Sequence, residues 1–396
     1  MVKIAIMGYG TVGSGVYEIV KSNAARVAES AGEEIEIKYI LDIRDFDDHP
    51  EKHLFTKDVN DIINDDEVRV VAEVMGGLHP AYEFTKSLLL AGKSVVTSNK
   101  ELVATYGTEL LEIAEKNNAN YLFEASVGGG IPVIRPMSRC LSANNIERIA
   151  GILNGTTNYI LYQMFTNNKS FETALSDAQA NGYAERNPAA DIEGHDACRK
   201  IAILASLASG KEVDASRIPT EGIVNISLDD VKCAEDAGGV IKLIGYAEFI
   251  DGKVYAHVAP MFIKNGNMLS GINDVYNGIL ITGDEVGDIM FYGSGAGKLP
   301  TASAVVADIV DSVIHSERRK LIGWKKPEGD IVAGVNDIKF RYLMRCDASE
   351  EAVEKVMGTV TVISPVAFIT EPLSAAECEE KQSLLGGVKS AIRVLD

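Results

Sequence analysis

The residues 182–200, "GYAERNPAADIEGHDACRK", hold four carboxylates, Glu185, Asp191, Glu193 and Asp196, and end on Lys200. Carboxylates at that density suit a cation or a ligand's ammonium. An amine among them suits proton transfer, because desolvation and neighbouring charges can bring a lysine toward neutral pH. The spacing of four puts Asp196 and Lys200 on one helix face. If that face were solvated, the pair would contribute only about 0.3–0.5 kcal/mol. The helix continues, however, as "IAILASLAS", which has almost nothing polar on any side. It is predicted to be buried, which makes its charged first turns the rim of a cavity. Lys200 is the candidate acid/base, with the acids placed to receive an ammonium.

A second set of chemistry-bearing residues lies near the start. In "KIAIMGYGTVGSGVYEIV", Gly8, Gly10 and Gly13 follow a short apolar strand and open an amphipathic helix. In that context the first glycine permits a tight turn and the second lets backbone approach a pyrophosphate. The third lets helix pack on strand, leaving the anion at a helix N-terminus. A second strand, "EIEIKYILDIRD", ends on Asp42 and Arg44. An acid there favours the NAD ribose diol and an arginine favours the NADP phosphate, so both cofactors stay open. "SVVTSNKEL" ends a further strand with Thr97, Ser98, Asn99 and Lys100. Lys100 reads either as a surface charge or as a group aimed at the nicotinamide half.

These residues need elements to position them. Strand–helix alternation through the first third indicates a parallel, doubly wound sheet. "YLFEASVGGGIPVIRPM" breaks the alternation and reads as the crossing into a second domain. "RIAGILNGTTNYILYQM" is a strand, a polar turn and a helix opening, whose hydroxyls and amides either hold a carboxylate or cap the helix. A helix with Ser170 as N-cap stops at Gly182, and Pro188 disfavours helix just before it, so 183–193 is expected to be loop. The C-terminal stretch, from "KFRYLMRCD" to "SAIRVLD", reads β-α-β-β-α-β.

Composition narrows the class. Hydrophobic content of 46% and charged content of 24% are ordinary for a globular chain of 396 residues, long enough for two or three domains. A formal net charge of -19 argues against nucleic acid or an anionic membrane as partner. Cys140, Cys198, Cys233, Cys346 and Cys378 lie far apart without metal-like spacing to histidine, as expected of reduced thiols in a cytoplasm. No apolar run reaches the roughly 20 residues of a membrane span, and the N-terminal stretch reads as strand and turn, not as a signal peptide.

The segments "GYGTVGSGV", "GKSVVTSNKELV", "GILNGTTNYIL", "GYAERNPAADIEGHDACRKIAILA" and "YGSGAGKLPTASAVVAD" occur in order over almost the whole chain. Together they resemble homoserine dehydrogenases. The resemblance implies an α/β chain in three parts. A Rossmann-type domain over 1–130 is completed by 299–322, an α+β catalytic and dimerisation domain spans 131–298, and a βαββαβ module resembling ACT domains occupies 335–396. It implies NAD- or NADP-dependent hydride transfer between L-homoserine and L-aspartate 4-semialdehyde, on the route to threonine and methionine. Carried over by motif, Lys200 is the acid/base, and Lys100 sits beside substrate and nicotinamide. Glu185, Asp191, Asp196, Gly182 and Thr156 bind or orient the amino acid. Gly8, Gly10, Thr11, Val12, Gly13, Arg44, Thr97, Ser98 and Gly295 hold the dinucleotide. A sodium or similar cation falls on Glu124, Val127, Gly129 and Ile131, mostly through carbonyls, as suits a hard ion.

The resemblance also implies a homodimer or homotetramer and an amino acid effector at the C-terminal module. No kinase-like domain precedes the motifs, which reads as a single activity. Two departures stand out: Asp42 replaces a usually apolar residue, and Arg186–Asn187 replace an expected Pro-Asp pair. The rival readings are another two-domain dehydrogenase or reductase, against which the central motif speaks, and a non-catalytic amino acid or dinucleotide sensor, against which the paired lysines speak.

Overall fold

Strands rich in Val and Ile that bury both faces must lie inside a parallel sheet. The computed structural model describes residues 1–334 and 337–396. Its first part runs β1 (Val2–Met7), α1 (Thr11–Ser22), α2 (Ala24–Ala31), β2 (Ile35–Leu41), β3 (Phe55–Thr56), α3 (Asn60–Ile63), β4 (Val68–Glu73), α4 (Ala81–Leu90), β5 (Ser94–Thr97), α5 (Lys100–Lys116), β6 (Tyr121–Leu122) and α6 (Ala125–Gly128). The strands form one sheet in the order β3-β2-β1-β4-β5-β6, parallel throughout. Strand order reverses between β1 and β4, the place where such sheets bind ligands beyond their strand ends.

The chain continues as β7 (Ile146–Ile152), α7 (Gly155–Asn167), α8 (Phe171–Ala180), α9 (Ala189–Ile192), α10 (His195–Ser209), α11 (Leu228–Asp236), β8 (Gly239–Ile250), β9 (Lys253–Lys264), β10 (Tyr276–Gly283) and β11 (Gly287–Ser294). Then follow α12 (Lys298–Ile314), β12 (Tyr342–Cys346), α13 (Glu350–Met357), β13 (Val360–Ser364), β14 (Ala367–Thr370), α14 (Ala375–Leu385) and β15 (Val388–Leu395). Two compact units result. The first comprises Met1–Ala143, Ser206–Asp214 and Gly293–Glu328; the second comprises Asn144–Ala205, Ala215–Tyr292 and Gly329–Asp396.

In the first unit, Ile4, Ile6, Val16, Ile40 and Val70 share a core with Val305 and Ile309 of α12. Gly15 lets α1 and α12 touch, since a Cβ there would sit 2.9 Å from the Ala302 Cβ. Arg135 fastens the turn after α6 to α12, reaching Asp308 at 2.6 Å and Asp311 at 2.9 Å.

In the second unit nine strands form a mixed sheet, ordered β11-β10-β7-β8-β9-β15-β12-β14-β13. The C-terminal β-α-β-β-α-β pattern is present as read, apart from residues 335 and 336 of its expected span, which lie outside the described residues. It does not stand apart, because β15 pairs in parallel with β9 and makes the sheet continuous. Asp230, the capping-box acid of α11, receives Arg345 Nε at 3.0 Å and Ser390 Oγ at 2.5 Å, which ties that helix to β12 and β15.

His257 of β9 is fully buried against the rings of Tyr246 and Phe340, and neither ring nitrogen has a hydrogen-bond partner among the described residues. Burial, and secondarily the Arg393 charge, push its pKa from 6.5 down to about 3. Between those values the unfolded chain binds the proton and the folded chain does not, so stability falls as pH drops from about 6.5 toward 3. His257→Phe should flatten this acid-side loss. Melting temperatures at several pH values check it: the wild type should lose more on going from pH 7 to pH 5 than the variant does. Parallel curves would assign the loss to other groups.

Candidate active site

The candidate residues of the first unit begin at the end of β1. Gly8 turns the chain at φ +97, and a Cβ on Gly13 would lie 1.9 Å from the Gly8 carbonyl oxygen, so α1 can start this close to the strand only with glycine there. Above Gly10 there is open space: a Cβ would meet nothing within 4 Å. The first turn of α1 holds no acidic residue, so Thr11, Val12 and the amides around them present an uncontested positive helix end. A cradle that is closed at Gly13 and open at Gly10 fits a pyrophosphate.

At the end of β2, Asp42 is fully engaged. Its carboxylate accepts from Tyr9 N at 2.7 Å, Arg44 N at 3.0 Å, Arg44 Nε at 3.0 Å and Arg44 Nη2 at 2.8 Å. The Arg44 guanidinium, outweighing the cost of burial, holds the Asp42 carboxyl well below the usual carboxylate range. Arg44 remains exposed over the Phe46 ring.

Beyond β4 and β5 a buried relay shapes the strand ends. Thr97 Oγ1 donates to Glu73 at 2.6 Å, and Met75 N donates to the same carboxylate at 2.9 Å. Burial dominates these donors and pushes the Glu73 carboxyl up. Asn99 N donates to Thr97 Oγ1, and the Asn99 side chain spans from Leu102 N to the Gly77 carbonyl, fixing the start of α5 and with it Lys100. The Thr97 hydroxyl is thus committed inside the protein, whereas Ser98 and Lys100 are half-buried. Glu73, in an apolar strand, carries no sequence signal as a site residue.

Near α6, Gly130 N donates to the Ser294 carbonyl at 3.1 Å, and a Cβ on Gly129 would lie 2.3 Å from the Gly295 carbonyl oxygen. Glu124 is buried and its carboxylate accepts from Val133 N, Ile134 N and Arg135 N at 2.6, 2.8 and 2.8 Å. Its carboxylate is therefore occupied by amides. Any cation on Glu124, Val127, Gly129 and Ile131 would take carbonyl oxygens, a donor set that fits a hard monovalent ion.

In the second unit, Lys200 pairs with Asp196 at 2.8 Å, with side chains only 9% and 5% exposed, and donates to the Leu153 carbonyl at 2.7 Å. This pair is buried, as the apolar continuation of α10 implied. The turn before α7 does both of the things its sequence allowed. The Asn154 oxygen caps the helix by accepting from Thr157 N at 2.9 Å, while its Nδ2 donates to Asp191 at 2.7 Å and Asp196 at 2.9 Å. Thr156 Oγ1 donates to the Tyr183 carbonyl at 2.7 Å, which holds the turn after α8. The structure thus gathers Asn154, Thr156, Asp191, Asp196 and Lys200. Glu185 and Gly182 lie on the exposed turn that follows, Gly182 at φ +74. Within the expected loop a short helix, α9, forms after Pro188 and carries Asp191, because proline is well suited to a helix start.

The family model described as "Homoserine dehydrogenase" matches residues 132–310, and "Homoserine dehydrogenase, NAD binding domain" matches residues 8–124. A homoserine dehydrogenase of Synechocystis sp. is 42% identical over 79% of this chain and 73% of its own length. One from Pseudomonas aeruginosa is 35% identical over 100% of this chain and 93% of its own. Among solved structures, a homoserine dehydrogenase from Thiobacillus denitrificans superposes with a TM-score of 0.93 at 31% identity, covering 100% of this chain and 98% of that one. A hyperthermophilic archaeal homoserine dehydrogenase mutant in complex with NADPH gives 0.68 at 28% identity, covering 79% and 98%.

Proposed function

We propose residue roles from one premise: the chain belongs to the homoserine dehydrogenase family. It is an NAD(P)-dependent oxidoreductase acting on a CH–OH group, and it interconverts L-homoserine and L-aspartate 4-semialdehyde. The observation that carries the role assignment is the buried Lys200–Asp196 pair held against the Leu153 carbonyl.

When bound, the nicotinamide supplies the hydride carrier. In oxidation, Lys200 Nζ takes the proton of the substrate hydroxyl; in reduction it gives that proton back to the oxygen as charge develops there. Asp196 and the Leu153 carbonyl fix the amine's position. Asn154 holds Asp191 and Asp196 apart from each other yet on one side of the turn, so Asp191, half-exposed, is placed for the substrate ammonium. Glu185, Gly182 and Thr156 complete the amino acid site, and Lys100 serves the reacting end.

Gly8, Gly10, Thr11, Val12 and Gly13 receive the pyrophosphate, with Arg44 at the adenosine end and Thr97, Ser98 and Gly295 along the remainder. A sodium-like cation takes the carbonyls of Glu124, Val127, Gly129 and Ile131. The C-terminal module serves regulation by an amino acid or assembly into a dimer or tetramer. The cysteines Cys140, Cys198, Cys233, Cys346 and Cys378 are free thiols, in keeping with a cytoplasmic location.

Because Asp42 neutralises Arg44, it restrains a preference for the 2′-phosphate. Asp42→Ala should raise the ratio of kcat/KM for NADP to that for NAD about tenfold, the worth of one charge-assisted contact. An unchanged ratio would remove Arg44 from the adenosine end. The proposal as a whole is checked by initial rates with L-homoserine and either cofactor, each with and without threonine. Homoserine-dependent NAD(P) reduction that threonine modulates supports both the site and the regulatory module. Reduction indifferent to threonine leaves the module as an assembly element.

A further inference from the structure

A buried ammonium is costly unless a counter-charge accompanies it. Lys242 of β8 is 2% exposed, yet the groups that accept its hydrogen bonds among the described residues are neutral: Asn158 Oδ1 at 3.0 Å, the Ile272 carbonyl at 2.6 Å and Asn273 Oδ1 at 3.3 Å. Burial pushes its amine down to about 8. The reaction assigned above makes no use of this group.

Lys242 lines a cavity of about 440 Å³, together with Tyr162, Phe165, Glu235, Ser270 and Asn273. That volume suits a small metabolite. All of these residues belong to the second unit. The chemistry of the walls is divided: the buried cation Lys242, the exposed acid Glu235 of α11, two aromatic rings from α7 and the neutral polar side chains of Thr166, Asn265, Ser270 and Asn273. A simple cation is disfavoured by Lys242, and a phosphate dianion is disfavoured by Glu235. A zwitterion satisfies both charges at once.

We propose that this cavity binds a free α-amino acid, its carboxylate on Lys242 and its ammonium on Glu235, with the side chain against Tyr162 and Phe165. The carboxylate takes the place of Asn273, the longest of the three Lys242 contacts and on an exposed residue. The site is separate from Lys200 and its acids and from the C-terminal module, so it stands whether or not those assignments hold.

Isothermal titration of the full chain with each proteinogenic L-amino acid, with sodium acetate and with inorganic phosphate tests the proposal, alongside Lys242→Met and Glu235→Gln. The expected result is an amino acid that binds the wild type and is weakened about tenfold or more by each variant, the loss of one charge-assisted contact. Melting temperature and homoserine turnover without that ligand should stay near wild type in Glu235→Gln. That exposed substitution decides the matter should Lys242→Met fail to fold. Amino acid binding unaffected by Glu235→Gln, phosphate binding that Lys242→Met abolishes, or no amino acid binding that either variant alters would overturn it.

Discussion

Lys200→Met should lower kcat roughly 10²–10⁴-fold, the usual worth of a positioned acid/base, while leaving the affinity for NADPH within about a factor of two of wild type. Methionine keeps the length and apolar stem of the side chain, so the change isolates the amine. It also strips Asp196 of its cationic partner inside the protein, and breaking a buried pair costs about 3–5 kcal/mol. The variant should therefore melt earlier, and a loss of turnover alone would confound chemistry with unfolding. The double variant Lys200→Met/Asp196→Asn separates them. Removing the stranded carboxylate should recover much of the melting temperature, because Asn154 Nδ2 still finds an acceptor, yet turnover should stay low. Turnover that returns with stability would show Lys200 to be structural.

The next largest effect belongs to the glycines. Gly10→Ala introduces a methyl into open space, so the fold should be indifferent. The same methyl occupies the place where a pyrophosphate would approach the amides. KM for either cofactor should rise about 10- to 100-fold, the range for losing hydrogen bonds to a charged group, with melting temperature unchanged in the absence of cofactor. Gly13→Ala is the contrast, since its Cβ would meet the Gly8 carbonyl oxygen at 1.9 Å. It should lose stability and cofactor binding together. A Gly10→Ala protein with normal KM would place the pyrophosphate elsewhere.

The features legible in the sequence are those written in local spacing. Gly8, Gly10 and Gly13 encode the turn geometry within one strand–helix unit, and the parallel sheet follows from the alternation around them. Asp196 and Lys200 stand one helical turn apart, and the apolar run after Lys200 indicated that their pair would be buried. The family resemblance supplied the substrate, which spacing could not. What stayed hidden depends on distant partners. Asn154 looks complete as an N-cap, and its second task appears only when Asp191 and Asp196, 37 and 42 residues on, fold back to it. Glu73 sits within an apolar strand and gains meaning only from Thr97. The short helix α9 was expected as loop because four residues give too little periodicity to read. Parallel pairing of β15 with β9 joins residues more than a hundred apart, so the module looked separable when its sheet is continuous with the rest of the second unit.

Chemical rescue of Lys200→Ala tests the central claim most directly. With saturating homoserine and cofactor, small primary amines added to the truncated enzyme should restore turnover in proportion to their concentration, and the rate should track amine basicity across a series of similar size. Tertiary amines too large for the space should do nothing. A truncated enzyme that binds cofactor normally but turns over near the wild-type rate without amine would contradict the assignment of Lys200 as the group that moves the proton.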